Sequence, residues 1–288
     1  MIHRFFLFWS VPFAYLTPLL GHSGTRWSVR LALRIHIFLS LIFAALYSTI
    51  RYHFGKNFRD LPSPSYRVSR TTEFSSKGCK MLFFKPVEKS KRRILLFPGL
   101  GISVRRMLEQ PCMQPFVDDS EIVCFQIRGI GESCWDVDIA SDSMLEDALH
   151  AATVFDQLTD GNLKTLFVGY SLGCFVSMQL LSHIWTTNTK CDNILLVNGM
   201  YDSQNMIQQY KIMSMLLGVV VQPHVKKSSV PITILHAKDD ETIFLQEAID
   251  LQNECMSIGR SCHLFICDGT HSHYSLTEQT FSALKTNL

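Results

Sequence analysis

The segment Gly169-Tyr170-Ser171-Leu172-Gly173 sets a serine between two glycines, a spacing that suits a nucleophile. A serine hydroxyl is a weak nucleophile at neutral pH. It needs an imidazole to take its proton and a carboxylate to orient that imidazole. Two later segments supply both types of group. His236-Ala237-Lys238-Asp239-Asp240 offers Asp239 and Asp240 as acids, and Cys267-Asp268-Gly269-Thr270-His271-Ser272-His273 offers His271 and His273 as bases. Such a trio attacks polarised carbonyl carbon, and it requires neither a metal nor an organic cofactor.

Three distant segments meet only if the fold brings them to one rim. The apolar run 166–168 directly precedes Gly169, and the apolar segment 172–184 follows the serine, so a strand should feed a helix through a tight turn. The glycines let the two elements approach closely around a strained turn that raises the hydroxyl above the sheet edge. The acid pair follows the β-rich run 232–235, and the imidazoles follow 263–266. Further strands are expected at 66–74 and 80–87, as an antiparallel pair, and at 93–97, 121–127 and 194–197. Helices are expected from near residue 103 and over 144–158, 245–258 and 275–284. Ser143, with Glu146 three residues on, reads as a capping box opening the second of these. Alternating strands and helices imply a mainly parallel sheet flanked by helices, an α/β fold.

Across roughly residues 66–288 the chain resembles the α/β-hydrolase superfamily. Its acid and base follow the nucleophile in that order, as in these hydrolases. Arg128-Gly129-Ile130-Gly131-Glu132-Ser133 is similar to their R-G-x-G-x-S turn. His236-Ala237 followed by Asp240 and Ile243 is similar to their H-G-x-x-D-x-x-V signature, which assigns the acid to Asp240. Gly269-Thr270-His271 is similar to their G-x-H ending, which assigns the base to His271. The resemblance also implies an oxyanion hole made by the backbone N–H groups of Leu100 and Leu172. Two positions depart from the pattern: Pro98-Gly99 stands where the family has His-Gly, and Ala237 where it has glycine. With the N-terminal stretch described next, the chain looks most like the membrane-anchored, lipid-active branch related to monoacylglycerol and lysophospholipid lipases.

Residues 1–60 differ in composition from the rest. Apolar stretches lie at about 5–20 and 31–50. The second is near the ~20 residues that span hydrocarbon; the first is interrupted by Pro12 and Pro18. The expectation is an N-terminal membrane anchor, single-pass or hairpin, then a Pro-rich linker and a hydrolase domain over 61–288 with a short cap at about 200–229. Arginines flank the second stretch on both sides, so charge does not fix orientation. The endoplasmic reticulum is one candidate among the organelles.

The 288 residues are 47% hydrophobic and 18% charged, with a formal net charge of +2. That balance gives no basic surface for nucleic acid. Nine cysteines without paired spacing indicate reduced, mostly buried thiols. Cys255, Cys262, His263 and Cys267 match no common zinc spacing, and the glycines near Gly99 and Gly129 complete neither a dinucleotide nor a phosphate loop. The sequence therefore points to a membrane-attached serine hydrolase cleaving a lipid ester or thioester. A non-catalytic relative that binds lipid or a membrane partner is the alternative, and the oligomeric state is left open.

Overall fold

The computed structural model describes residues 68–76, 79–87, 89–99, 102, 104–126, 141–184, 189–199 and 228–288. The chain divides at Leu61/Pro62 into two units, and the described residues all belong to the second. The apolar stretches at 5–20 and 31–50, the cap at 200–229 but for its last two residues, the turn from Arg128 to Ser133, and Leu100 lie outside them. Among the described residues, no helix is long and apolar enough to cross a membrane.

In chain order the elements are β1 (Val68–Ser76), β2 (Cys79–Pro86), β3 (Arg92–Phe97), α1 (Val104–Leu108), a 3-10 turn (Pro111–Met113), β4 (Ser120–Gln126), α2 (Ser141–Leu158), β5 (Lys164–Tyr170), α3 (Leu172–His183), β6 (Asn193–Val197), β7 (Ile232–Ala237), α4 (Leu245–Ser257), β8 (Cys262–Gly269), β9 (Tyr274–Ser275) and α5 (Glu278–Asn287). The strands form one sheet in the order β1-β2-β4-β3-β5-β6-β7-β8-β9. From β4 to β8 every pairing is parallel, and antiparallel pairs close both ends.

Burial on both faces explains why the central strands read as continuous apolar runs rather than alternating ones. Leu95, Phe97 and Phe167 face one way, onto Phe155 of α2, Phe175 of α3 and Leu251 of α4. Ile94, Leu96 and Val168 face the other, onto Met107 of α1, Phe116 and Leu284 of α5. Each such side chain contributes about 1.5–3 kcal/mol relative to exposure. The eight described cysteines are free thiols, six of them buried.

The register sets the rim. Phe97 pairs with Gly169, Tyr170 with Val197, Val197 with Leu235, and Ala237 with Cys267. The parallel strands therefore end side by side. The chain order reverses at β3, which lies between β4 and β5. In open α/β sheets the crevice beyond the carboxyl ends at such a switch point is where ligands bind.

Two expected helix starts are displaced. α2 begins at Ser141, so Ser143 lies inside the helix and is not its cap. The expected helix at 275 begins instead at Glu278, with Thr277 as N-cap accepting from the Thr280 amide at 3.1 Å. Ser275 is occupied by β9, which pairs with Asp268 and forms a hairpin with β8. A two-residue strand has too short an apolar pattern to announce itself.

Candidate active site

Ser171 is the first residue beyond β5, and its backbone stands at φ 52°, ψ −118°. For a residue with a side chain this is a strained conformation, of the kind held only where its surroundings over-determine it. The surroundings here are specific. The Ser171 amide donates to the carbonyl of Val197 at 2.9 Å. A Cβ at Gly169 would stand 2.5 Å from the Gly173 carbonyl oxygen and 2.6 Å from Cys174 Cα. A Cβ at Gly99 would stand 2.8 Å from Ser171 Cβ, so the segment after β3 passes directly against the elbow.

Ser171 occupies the N-cap position of α3 but makes no side-chain capping bond. Its Oγ instead lies 3.0 Å from Nε2 of His271. Nδ1 of the same ring lies 2.7 Å from Oδ2 of Asp240. Because the carboxylate can only accept, Nδ1 carries the proton and Nε2 is free to take one from the serine. The structure thus joins Ser171, His271 and Asp240 in one hydrogen-bonded chain across 100 residues of sequence.

The Asp240 side chain is wholly buried. Its Oδ1 accepts from the amides of Thr242 and Ile243, each at 2.8 Å, so the charge is held by backbone dipoles on one side and by the imidazole on the other. Asp239 is exposed, and its amide bonds to Gly269 O at 3.1 Å. His236 is fully buried. Its Nε2 donates to Ile243 O at 2.9 Å and lies 3.7 Å from Asp240 Oδ2. Burial holds its imidazole below the ordinary histidine value, so the ring is neutral.

His271 rides on the β8–β9 hairpin. Gly269 adopts φ 122°, and Thr270 N donates to His273 O at 2.7 Å. A Cβ at Gly269 would meet His273 O at 2.2 Å, so this turn depends on glycine. His273, at the other end of the turn, is exposed.

Leu172 opens α3, directly after Ser171, so its N–H has no acceptor within the helix. Of the two residues expected to form an oxyanion hole, Leu172 is the first residue of α3 and Leu100 lies outside the described residues. Gly99, which precedes Leu100, is placed against Ser171.

Two residues that sequence reading passed over also reach the site. The Tyr170 phenol donates to the backbone carbonyl of His271 at 2.5 Å, with the two rings 5.5 Å apart. Asn198 Nδ2 donates to the same carbonyl at 2.8 Å, while its Oδ1 accepts from the Ala237 amide at 2.8 Å. The available signals were Tyr170's place inside the glycine motif and the Asn198-Gly199 pair after a strand, a turn-forming dipeptide. Asn198 has φ 45°, a conformation asparagine tolerates. Burial pushes the Tyr170 phenol well above its ordinary value, so it remains a donor.

The Cys174 thiol, three residues beyond Ser171, is buried and accordingly raised well above its ordinary value. Among the described residues, no group of three or more His, Cys, Asp or Glu is arranged to hold a metal ion.

No protein-family model matches the chain, and no curated protein sequence matches it. Solved structures do. A hyperthermophilic esterase from Pyrobaculum calidifontis is 13% identical with a TM-score of 0.58, over 83% of this chain and 91% of that one. An α/β-hydrolase enzyme from a Medee basin deep-sea metagenome library is 12% identical with a TM-score of 0.53, over 72% and 84%. Acylaminoacyl peptidase from Pyrococcus horikoshii is 15% identical with a TM-score of 0.55, over 76% of this chain but only 39% of the peptidase. The chain thus spans about two-fifths of the peptidase it matches. At such identities the likeness is one of architecture, and with the strand order and the strand–serine–helix turn it establishes that this chain has the α/β-hydrolase fold.

Proposed function

We propose that the protein is a membrane-attached serine hydrolase that cleaves a carboxylic ester or thioester of a lipid. The observation that carries the reading is the hydrogen-bonded chain from Ser171 Oγ through His271 to the buried Asp240 carboxylate. Ser171 Oγ attacks the acyl carbon as His271 Nε2 takes its proton, and the carbonyl becomes a tetrahedral oxyanion. The Leu172 amide, with that of Leu100, stabilises the new charge; one such donor is worth about 10²–10³-fold in rate. Asp240 balances the imidazolium. His271 then protonates the departing alcohol or thiol, leaving an acyl-enzyme. In the second half, water gives a proton to His271 and attacks the acyl carbon, and as the tetrahedral intermediate collapses His271 returns that proton to Ser171 Oγ, releasing the acid and the free serine.

The lipid part of the reading is supported by the sequence. The stretches at 5–20 and 31–50 suit an anchor, and the apolar, methionine-bearing run at 212–221 suits a cap beside an acyl chain. Two of the solved structures compared above bear the names esterase and α/β-hydrolase enzyme, in keeping with acyl chemistry.

The test is covalent labelling by a fluorophosphonate probe. The full chain, extracted from membranes and folded, should label, and Ser171→Ala should not. Folded protein that stays unlabelled would favour a lipid-binding role without catalysis. Incubating both with a total lipid extract then identifies the substrate as the species consumed only by the wild type. Retention of the protein in the membrane pellet after an alkaline carbonate wash tests the anchor; its release would remove the integral attachment.

A further inference from the structure

One backbone oxygen, the carbonyl of His271, accepts hydrogen bonds from two side chains on neighbouring strand ends: Tyr170 Oη at 2.5 Å and Asn198 Nδ2 at 2.8 Å. Neither bond belongs to a strand ladder or a helix. Tyr170 is the last residue of β5 and adjoins Ser171. Asn198 directly follows β6, whose last residue, Val197, accepts the Ser171 amide. Asn198 is fully buried, holds a positive φ, and bonds through its own amide to Leu235 O at 2.9 Å and through Oδ1 to the Ala237 amide at 2.8 Å. Leu235 and Ala237 belong to β7, the strand that leads to Asp240.

We infer that Tyr170 and Asn198 are positioning residues that fix the main chain of the general base relative to both nucleophile and acid, an assignment that rests on the hydrolase reading above. The need for them follows from the topology. His271 sits at the tip of the β8–β9 hairpin, whose second strand is only two residues long, attached at the sheet's margin and separated from the nucleophile strand β5 by β6 and β7. The two β8–β9 ladder pairs and the Thr270 N–His273 O bond close the hairpin on itself, and Asp239 N–Gly269 O ties it to the segment after β7; none of these bonds reaches the end of β5, where Ser171 follows. The paired donors tie that tip to the two strand ends beside the nucleophile. Asn198 then serves as the node: its amide oxygen holds the acid's strand while its amide nitrogen holds the base's carbonyl. The phenol ring also packs against the imidazole, which limits how far the ring can tilt. A displacement of about 1 Å in a catalytic group can cost about 10²-fold in rate, which sets the scale of the effect.

The test uses the full chain in detergent with Tyr170→Phe, Asn198→Asp and the double variant. Tyr170→Phe keeps the ring and removes only the hydroxyl. Asn198→Asp keeps the acceptor for Ala237 and the tolerance of positive φ but replaces the donor facing His271 O. Three readouts are taken: cooperative thermal unfolding, the rate constant of fluorophosphonate labelling together with kcat and KM on an ester, and the low-field proton resonance of the His271 Nδ1–H···Asp240 bond. The expected result is folded single variants with labelling and kcat lowered about tenfold, a double variant lowered about 10²-fold, KM little changed, and a low-field resonance broadened or lost. If Asn198→Asp does not fold, Tyr170→Phe carries the test alone. Folded variants with wild-type rates, a loss confined to KM, or an unaltered resonance would overturn the assignment. Should the wild type fail to label at all, the hydrolase reading falls, and positioning is judged on the resonance alone, which does not need turnover.

Discussion

Gly173 and Phe97 touch backbone to backbone: a Cβ on Gly173 would stand 2.0 Å from the carbonyl oxygen of Phe97 and 2.9 Å from that of Pro98. The first turn of α3 therefore lies against the end of β3, and this contact brings the loop that starts at Pro98 up to the nucleophile. Substituting Gly173→Ala drives a methyl into rigid main chain, which should destabilise the domain by about 1–3 kcal/mol or more. Gly99→Ala differs in kind. Its closest new neighbour is Ser171 Cβ at 2.8 Å, then the Tyr170 ring at 3.0 Å. Relief there means moving the nucleophile, so Gly99→Ala should lower the labelling rate by at least about tenfold with a smaller loss of stability. Thermal melts and labelling rates, measured side by side, check both. Equal behaviour of the two variants would contradict the distinction.

Asp240 and Asp239 differ by one position in sequence and completely in surroundings. The Asp240 carboxylate is buried, accepts two amides and fixes the His271 tautomer; the Asp239 side chain is exposed. Asp240→Asn would let the ring settle with its proton on Nε2, facing the serine, and should cut kcat by about 10⁴-fold. Asp239→Asn should stay within about twofold of wild type, as a surface change does. By the same reasoning His271→Ala should abolish turnover, whereas His273→Ala, on the exposed side of the turn, should keep most of it. Steady-state kinetics on any ester substrate decides; a severe loss in Asp239→Asn would move the acid.

How far this site can be read from sequence depends on the range of each signal. Ser171 announces itself because strand, glycines and helix are contiguous. The choice of Asp240 over Asp239 is not local: it depends on a carboxylate meeting the amides of Thr242 and Ile243 and an imidazole 31 residues away. The residue motif narrowed it only by resemblance. Tyr170 and Asn198 leave still less trace, since each acts through a bond from side chain to main chain across 101 and 73 residues. The strand runs of the parallel sheet were legible because burial on both faces demands unbroken apolar residues. β9 was not, because hydrogen bonds to β8 create it rather than any apolar pattern of its own.

His236 gives the domain a definite response to acid. Its Nε2–H donates to Ile243 O, so Nδ1 must be the bare nitrogen, and that atom is buried with no hydrogen-bond partner among the described residues. Protonation would place a charge there. Burial opposes that charge most strongly and His271 adds to the opposition; together they outweigh the Ile243 carbonyl and Asp240, which favour it, and the folded-state value falls below 6.5. In the unfolded chain the ring titrates normally. Above about pH 6.5 both states are neutral and stability is independent of this residue. As pH falls below that value the unfolded chain takes up the proton first, so the native state loses stability, by at most about 1.4 kcal/mol per pH unit, until the folded-state value is passed. His236→Gln keeps an N–H for Ile243 O and cannot titrate. Urea unfolding at about pH 8 and about pH 5.5 should therefore show a larger drop in midpoint for wild type than for His236→Gln, with the same slope. An equal drop in both proteins would mean that the ring is charged or exposed in the folded state.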